Sequence, residues 1–323
     1  MQPSYPVIDA HTHISPAYAA PMLALMDAVG VEAIVTLPDV GADLAGWLPA
    51  FERVAPGRFI VFTAPRLELA GEPGGVEELL RRLEDDVRHG ARGVKVYKEF
   101  GLRYKDGRGR RLAVDDPRLD PLWRRAGELG LPVLIHTGDP ADFWKPFDAT
   151  NPRFAELQVH PEWWFGSGEF PPLAQLLAER DRLVARHPGT RFIAAHLASL
   201  PHDLDALAAT LDRLPNLWVD LAARIGEIGV QSPARVRAFF GRYADRILFG
   251  SDLIRGVLGV EGELGPAQRH FFDLHWRYLE GSELALEPPV PLQGTQPLAA
   301  LGLERDILRR IYRDNARQLL GDA

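Results

Sequence analysis

Short apolar runs alternate with longer helical patterns along the whole chain. Eight of the runs are four or five residues long and nearly all apolar, which is typical of parallel strands buried on both faces. The predicted strands are Pro6–Asp9, Ala33–Leu37, Phe59–Phe62, Gly93–Tyr97, Val133–His136, Phe192–Ala195, Leu217–Leu221 and Ile247–Gly250. The intervals carry the helical period, and the predicted helices include Pro16–Val29, Val76–His89, Pro172–His187, Arg235–Tyr243 and Leu303–Leu320.

Strands that alternate with helices predict a parallel sheet, which is either closed as a (β/α)8 barrel or open and doubly wound. No glycine-rich phosphate-binding fingerprint follows the first predicted strand, and this favours the closed barrel. The length of 323 residues suits one barrel with elaborated loops. We therefore predict an α/β fold, a TIM barrel, that forms a single domain over residues 1–323.

Two connections are longer than a barrel needs, one after strand four and one after strand five. The first contains a predicted hairpin with its turn at Asp106–Gly107. The second runs from Thr137 to Phe170 and is rich in aromatic residues. Because long ordered loops in compact domains are usually functional, we expect both to border the active site.

The first strand leads into Asp9-Ala10-His11-Thr12-His13. Residues two apart on a strand point to the same face, so the imidazoles of His11 and His13 project together. Two neutral imidazoles at one strand end can bind one divalent metal ion. Taken alone, the pair is also compatible with two half-buried polar residues that bind no metal.

Three other predicted strands also end on a potential metal ligand. These residues are His136 after strand five, His196 after strand six and Asp252 after strand eight. Catalytic residues of barrels lie at the C-terminal ends of the strands, so this convergence predicts a metal site. The other histidines are interpreted as helix-terminal, surface or packing residues: His89, His160, His187, His202, His270 and His275.

With these residues the chain resembles the amidohydrolase superfamily. Its last helix, from Ile311 to Leu320, resembles that of the amidohydrolase 2 branch, which includes metal-dependent hydrolases and the aminocarboxymuconate-semialdehyde decarboxylase group. The resemblance implies that His11, His13, His136 and Asp252 hold or approach a metal ion. It implies that His196 is a second-metal ligand or a general acid, and that Asp252 is the base for a metal-activated water. The implied cofactor is one or two divalent ions, zinc first, with manganese, iron or cobalt as alternatives.

Lys95 decides how many metal ions we expect. A regular fourth strand places Lys95 and Tyr97 on one face and Lys98 on the other, so Lys98 is the poorer candidate for the site. Lys95 resembles the carboxylated lysine that bridges two metals in binuclear members. The alternative is a neutralised or ion-paired lysine at the rim of the barrel, where it would bind a substrate carboxylate, and the sequence leaves both open.

Candidates for substrate contact come from strand seven and from the loops. Arg224 follows strand seven and is expected to bind an anionic group or to form an outward salt bridge. Tyr97 joins it as a candidate. Trp144, Trp163 and Trp164 form a predicted apolar wall, with ordinary loop packing as the alternative.

The ligand set favours hydrolysis of a small amide, lactone or ester by metal-activated water. The alternative is metal-dependent decarboxylation of a small unsaturated or aromatic acid. A non-catalytic binding protein is a third hypothesis, against which the intact ligand set argues. Ser251 beside Asp252 is interpreted as a strand-end residue, because the sequence shows no setting for a nucleophilic serine.

Composition narrows the partners. A net charge of -7 and a pI near 5.8 argue against nucleic acid, which requires clustered basic residues. The chain has no cysteine, so disulfides and thiolate ligands are excluded. Without a predicted signal peptide or membrane span, we expect a cytoplasmic enzyme with a small-molecule substrate, and a homo-oligomer is left open.

Overall fold

The computed structural model describes residues 1–254, 264–290, 293 and 295–321. Every strand pair in this part of the chain is parallel. The strands are β1 (Val7–His13), β2 (Val31–Thr36), β3 (Phe59–Val61), β4 (Val94–Val96), β5 (Val133–Ile135), β6 (Phe192–Ala194), β7 (Leu217–Asp220), β8 (Ile247–Leu248) and β9 (Leu253–Ile254).

The strands form two arcs, in the orders β3-β2-β1-β9 and β4-β5-β6-β7-β8, and hydrogen bonds join the arcs at both ends. At one junction Thr63 forms a parallel bridge with Val94, and its carbonyl accepts the backbone N–H of Lys95 at 2.6 Å. At the other, the backbone N–H of Ala10 donates to the carbonyl of Phe249 at 2.9 Å. The sheet is therefore closed, which confirms the predicted TIM barrel over the open alternative.

Helices occupy the intervals between the strands. The longer ones are Ala19–Val29, Trp47–Val54, Gly75–Arg88, Asp120–Glu128, Leu173–Arg186, Leu204–Arg213, Pro233–Arg242 and Pro266–Glu280. The closing helix, predicted as one element, runs from Arg305 to Leu320 and contains a π-helical segment at Arg310–Asp314. No helix in the described ranges is both long and apolar enough to span a membrane.

Alternate residues of each strand enter two separate apolar clusters. Val94 and Val96 pack with helix residues in the larger cluster. Leu134 and Ile193, which are register partners on β5 and β6, belong to the smaller cluster that fills the barrel interior. Lys95 is the register partner of Leu134 and is 1% exposed, so its side chain enters the interior rather than the rim.

Both long loops have local structure. The predicted hairpin is present as one antiparallel bridge between Lys105 and Arg111. The loop after β5 contains the short helix Phe154–Val159 and two 3-10 turns, Ala141–Trp144 and Pro161–Trp163. These segments fold over the C-terminal end of the barrel.

Candidate active site

A cavity of about 420 Å³ opens at the C-terminal ends of the strands. Residues from most of the strand ends and from the loop after β5 line it. The predicted site residues among them are His11, His13, Lys95, Tyr97, His136, Trp163, His196, Arg224 and Asp252. The structure thus brings this set together, and the role of each member is a proposal.

His11 is fully buried and is oriented by a carboxylate that lies behind it. Its Nδ1 is 2.8 Å from Oδ2 of Asp220, the last residue of β7. An Nδ1–H that donates to this carboxylate leaves Nε2 with its lone pair toward the cavity. Nε2 lies 3.4 Å from Oδ1 of Asp252 and 3.2 Å from Nζ of Lys95.

His13, two residues further along β1, has a similar arrangement. Its Nδ1 is 3.2 Å from the carbonyl oxygen of Leu37, and its Nε2 is 3.4 Å from Oδ1 of Asp252. Burial lowers the pKa of His13, which favours the neutral imidazole. Burial alone would raise the pKa of Asp252, but the neighbouring His11 and His13 hold it well below its usual range.

His196 begins a turn of unusual backbone geometry at the end of β6. The residues His196, Leu197, Ala198 and Ser199 have φ values of 60°, 53°, 56° and 58°. Left-handed conformations cost about 1–2 kcal/mol per non-glycine residue, so surrounding contacts must hold the turn. Arg180 donates to the carbonyl of Ala198 at 2.6 Å, and the backbone N–H of His196 donates to Oδ1 of Asp220 at 2.7 Å.

This turn directs the His196 ring into the cavity. Its Nδ1 is 2.8 Å from the carbonyl oxygen of Ala222, so an Nδ1–H donor leaves Nε2 free. The ring centroid is 5.0 Å from that of His11 and 4.2 Å from that of His136. Burial lowers the pKa of His196 well below its usual value. The ring is therefore a neutral base or ligand in the absence of a bound group.

His136 faces a different partner. Its Nε2 is 3.4 Å from Oδ1 of Asp139, whose Oδ2 accepts a hydrogen bond from Nζ of Lys98 at 2.6 Å. Burial lowers the pKa of His136 to about 4. The potential ligand atoms that cluster most tightly belong to two other sets, His11, His13 and Asp252, and His11, His196 and Asp220. His136 lines the same cavity but lies at the edge of these sets.

The prediction that Lys98 lies on the opposite face is wrong. The fourth strand ends at Val96, and the chain then turns through Glu99–Leu102. Regular strand alternation therefore does not extend to Lys98, which lines the cavity and pairs with Asp139. The pair was missed because the side-chain direction after a strand depends on where the strand stops.

The donor set fits a divalent metal ion. Three imidazoles, those of His11, His13 and His196, each have Nδ1 engaged by an oxygen acceptor and Nε2 left toward the cavity. Asp252 supplies an ionised carboxylate beside two of them. Nitrogen and oxygen donors of this kind suit zinc, manganese, iron or cobalt.

Lys95 has no ion-pair partner within the described ranges. Its Nζ lies beside Nε2 of His11, and no carboxylate of these residues is within 4.0 Å of it. Burial lowers the pKa of Lys95 to about 8. The interior position argues against the predicted alternative of an ion-paired lysine at the rim.

Arg224 and Tyr97 both line the cavity. Arg224 is 4% exposed, and its Nε is 3.5 Å from Oε1 of Glu227. Arg224 is buried and lines the cavity, which argues against the alternative of an outward salt bridge. The Tyr97 hydroxyl donates to the carbonyl of Pro38 at 2.8 Å, and burial raises its pKa above the usual range.

Only one of the three predicted tryptophans lines the cavity in the described structure. Trp163 does so, with Nζ of Lys98 4.7 Å from its ring and His160 stacked on it at 3.9 Å. Trp144 donates to the carbonyl of Pro171, and Trp164 donates to that of Lys145, so both pack within the loop itself. Trp163 thus fits the predicted wall, whereas Trp144 and Trp164 fit the alternative of ordinary loop packing.

Sequence reasoning missed several residues of the cavity and its support. These are Asp220, Lys98, Asp139, Arg153 and His160. Asp220 carried a signal, since it is a charged residue within the otherwise apolar run Leu217–Leu221. His160 was predicted to be a surface or packing residue, but it lines the cavity through its stack on Trp163. The others lie in irregular segments, where no periodicity orders the side chains.

Comparison with known families places this geometry in context. The family model described as Amidohydrolase (Amidohydro_2) matches residues 8–321, so the chain belongs to this metal-dependent enzyme family. No curated protein matches the chain significantly.

Solved structures support the fold. A TIM-barrel protein of Bordetella bronchiseptica is similar at 17% identity and a TM-score of 0.58, covering 99% of this chain and 98% of that one. A 2,6-dihydroxybenzoate decarboxylase is similar at 20% identity and a TM-score of 0.56, covering 98% and 99%. A 4-oxalomesaconate hydratase from Rhodopseudomonas palustris is similar at 14% identity and 0.56, covering 97% and 95%. At these identities the likeness concerns the barrel and not the reaction.

Proposed function

We propose that the protein is a hydrolase that uses one or two divalent metal ions, zinc first, to cleave a small amide, lactone or ester. The observation that carries this proposal is the position of Lys95 in the barrel interior, with Nζ 3.2 Å from Nε2 of His11 and no carboxylate partner in the described ranges. A lysine placed there can, once carboxylated, present two oxygens to metal ions. The described ion pairs offer it no competing structural role.

The proposed ligands are His11, His13, His136, His196 and Asp252, with Lys95 as the bridge of a binuclear site. A bound divalent cation would polarise the substrate carbonyl and lower the pKa of the attacking water. Asp220 fixes the ring of His11 and the backbone of His196, so the ligands are oriented before anything binds. His136 differs from the other proposed ligands, because its Nε2 faces Asp139.

The chain's own residues can move the proton. Asp252 is ionised and central, so its carboxylate accepts the proton of the attacking water and passes it to the leaving group. His196 is proposed to be a ligand of the second metal ion or the general acid. Arg224, Tyr97 and Trp163 are proposed to contact the substrate, since all three line the cavity.

Decarboxylation is the second candidate. It is favoured by the cations of Lys98 and Arg224 at the cavity, which can hold a carboxylate that is to be lost. In that reaction the C–C bond to the carboxylate breaks, carbon dioxide leaves, and a protonated group quenches the carbanion. The likeness to a decarboxylase supports this candidate only at the level of the fold.

A metal-replete preparation tests the proposal. Elemental analysis should give one or two equivalents of a divalent metal, and a screen of lactones, esters and amides should give hydrolysis without release of carbon dioxide. His136→Ala should abolish metal binding or turnover, whereas His202→Ala, on the exposed surface, is the matched control. Carbon dioxide release from a small aromatic or unsaturated acid, with no hydrolysis, would replace the first candidate by the second.

We further propose one domain over residues 1–323, a cytoplasmic location and a small-molecule substrate without nucleic acid. The supporting observations are the closed barrel and the acidic net charge of -7. Whether copies of the chain associate stays open, as the sequence left it.

A further inference from the structure

One end of the cavity carries charged residues that are not among the proposed metal ligands. It is lined by Arg153 and Glu156 from the loop after β5 and by Arg224 from the segment after β7, and Glu227 pairs with both arginines. Arg153 and Arg224 are each 4% exposed. Two buried guanidinium groups at one end of a substrate cavity need explanation, because burying a charge without good partners is costly.

Arg153 is fully paired. Its Nη1 donates to Oε1 of Glu227 at 2.8 Å, and its Nε and Nη2 contact the carboxylate of Glu156. Two carboxylates, those of Glu156 and Glu227, therefore pair with this one guanidinium and fix its orientation. The residue ties the loop after β5 to the segment after β7.

Arg224 is not satisfied in the same way. It donates one hydrogen bond in the described structure, from Nη1 to the carbonyl of Ala223 at 2.8 Å. Its Nε has no hydrogen-bond partner in the described residues, and its ion-pair distance to Glu227 is 3.5 Å, to the oxygen that already accepts from Arg153. A guanidinium carries five N–H donors, so most of those of Arg224 are left toward the cavity.

The position of Arg224 relates this end to the reaction centre. The carbonyl of Ala222, two residues earlier, accepts from Nδ1 of His196 at 2.8 Å. One short segment thus orients a proposed metal ligand and presents an unsatisfied guanidinium beside it. A substrate held at the metal ligands can extend to Arg224 without leaving the cavity.

Resting on the proposed function, we infer that Arg224 binds a carboxylate of the substrate, and that the enzyme acts on esters, lactones or amides that carry a carboxylate away from the scissile bond. Planar carboxylates match the guanidinium fork. The carboxylates of Glu156 and Glu227 together balance the charges of the two arginines, so a dianion would add two uncompensated negative charges. The charge balance therefore favours a single carboxylate over a phosphate.

Paired esters test the inference. Mono-4-nitrophenyl glutarate and 4-nitrophenyl pentanoate differ chiefly by a terminal carboxylate, and the wild-type enzyme should prefer the glutarate. Arg224→Gln should lower kcat/KM for the glutarate about 10- to 100-fold more than for the pentanoate, since charged hydrogen bonds contribute on that scale. Arg224→Lys keeps the positive charge but lacks the planar guanidinium fork. Its kcat/KM for the glutarate should lie between those of the wild type and Arg224→Gln. Arg235→Gln, an exposed arginine on the following helix, is the control and should change neither rate.

Binding measurements separate this inference from the proposed function. Calorimetry with succinate, succinamide and inorganic phosphate on the metal-loaded protein should show succinate binding that Arg224→Gln weakens. If neither ester is hydrolysed but this dependence holds, the hydrolase proposal fails and the carboxylate site stands. Equal loss of both esters in Arg224→Gln, or phosphate binding that depends on Arg224 more than succinate binding does, overturns the inference.

Discussion

The two oxygens of the Asp220 carboxylate form hydrogen bonds with different residues, and one of these is His11. Oδ2 lies 2.8 Å from Nδ1 of His11, and Oδ1 accepts the backbone N–H of His196 at 2.7 Å. A single buried carboxylate at the end of β7 therefore fixes a ring from β1 and the backbone that follows β6. Asp220 therefore orients two of the proposed metal ligands, His11 and His196, from behind.

Asp220→Asn should weaken metal binding about 10- to 100-fold, the range expected for loss of a partner behind a ligating histidine. The amide is nearly the same size, but it lacks the charge that stabilises the Nδ1–H form of His11. Competition with a zinc-binding fluorescent chelator measures the affinity. Asp205→Asn, at an exposed carboxylate, is the control, and an unchanged affinity in Asp220→Asn would show that His11 needs no such partner.

Lys95→Met should stabilise the metal-free protein at pH 7. Burial lowers the pKa of Lys95 from 10.5 to about 8, so below pH 8 the folded state carries a buried charge that costs up to about 3 kcal/mol. Between pH 8 and 10.5 the unfolded state binds more protons than the folded state, so the free energy of unfolding of the wild type rises with pH.

Urea unfolding of both metal-free proteins at pH 7, 8, 9 and 10 measures this difference. The advantage of Lys95→Met should shrink as the pH rises and nearly vanish by pH 10. A constant difference across the series would mean that Lys95 titrates alike in the folded and unfolded states.

Ala198→Gly should raise the free energy of unfolding by about 0.5–1 kcal/mol. Ala198 has φ of 56° within a left-handed turn, where glycine avoids the steric cost of Cβ by more than it loses in chain entropy. Ala208→Gly, inside the helix Leu204–Arg213, is the same change in a right-handed segment and should lower stability by about 1 kcal/mol. Thermal unfolding of both variants should give shifts of opposite sign, and a shared sign would remove the strain argument.

Trp163→Ala should raise KM about tenfold with a smaller change in kcat, because the ring lines the cavity away from the proposed ligands. Trp144→Ala removes an indole of the same loop that packs against Phe165 outside the cavity. That variant should lose stability while KM stays near the wild-type value. Steady-state kinetics on a substrate found by the screen compare the two, and a larger effect on KM from Trp144 would contradict the assignment.

The sequence predicts the residues that end regular strands. His11, His196 and Asp252 follow apolar runs, and barrel topology brings the ends of such runs to one face, so pattern alone brings them together. Lys95 was also placed correctly on its face, because β4 is regular up to Val96. The barrel and the common cavity both follow from this regularity.

Irregular backbone limits the prediction. Lys98 lies two residues beyond the end of β4, where alternation no longer fixes its direction. Trp144 and Trp163 belong to one aromatic-rich loop, and no period separates the ring that lines the cavity from the ring that packs in the loop. Arg153 depends on ion pairs across two loops, which only the assembled structure shows.

The closure of the barrel also determines when the proposed metal ligands can come together during synthesis of the chain. Asp9 accepts the backbone N–H of Ser251 through Oδ1 at 2.9 Å, and Asp252 donates its N–H to the carbonyl of His11 at 2.8 Å. His11 and His13 are synthesised more than two hundred residues before Asp252, whose carboxylate lies between their rings. A nascent chain on the ribosome cannot assemble the proposed ligand set until its eighth strand has emerged and docked, so metal binding at these residues would indicate that the barrel has closed.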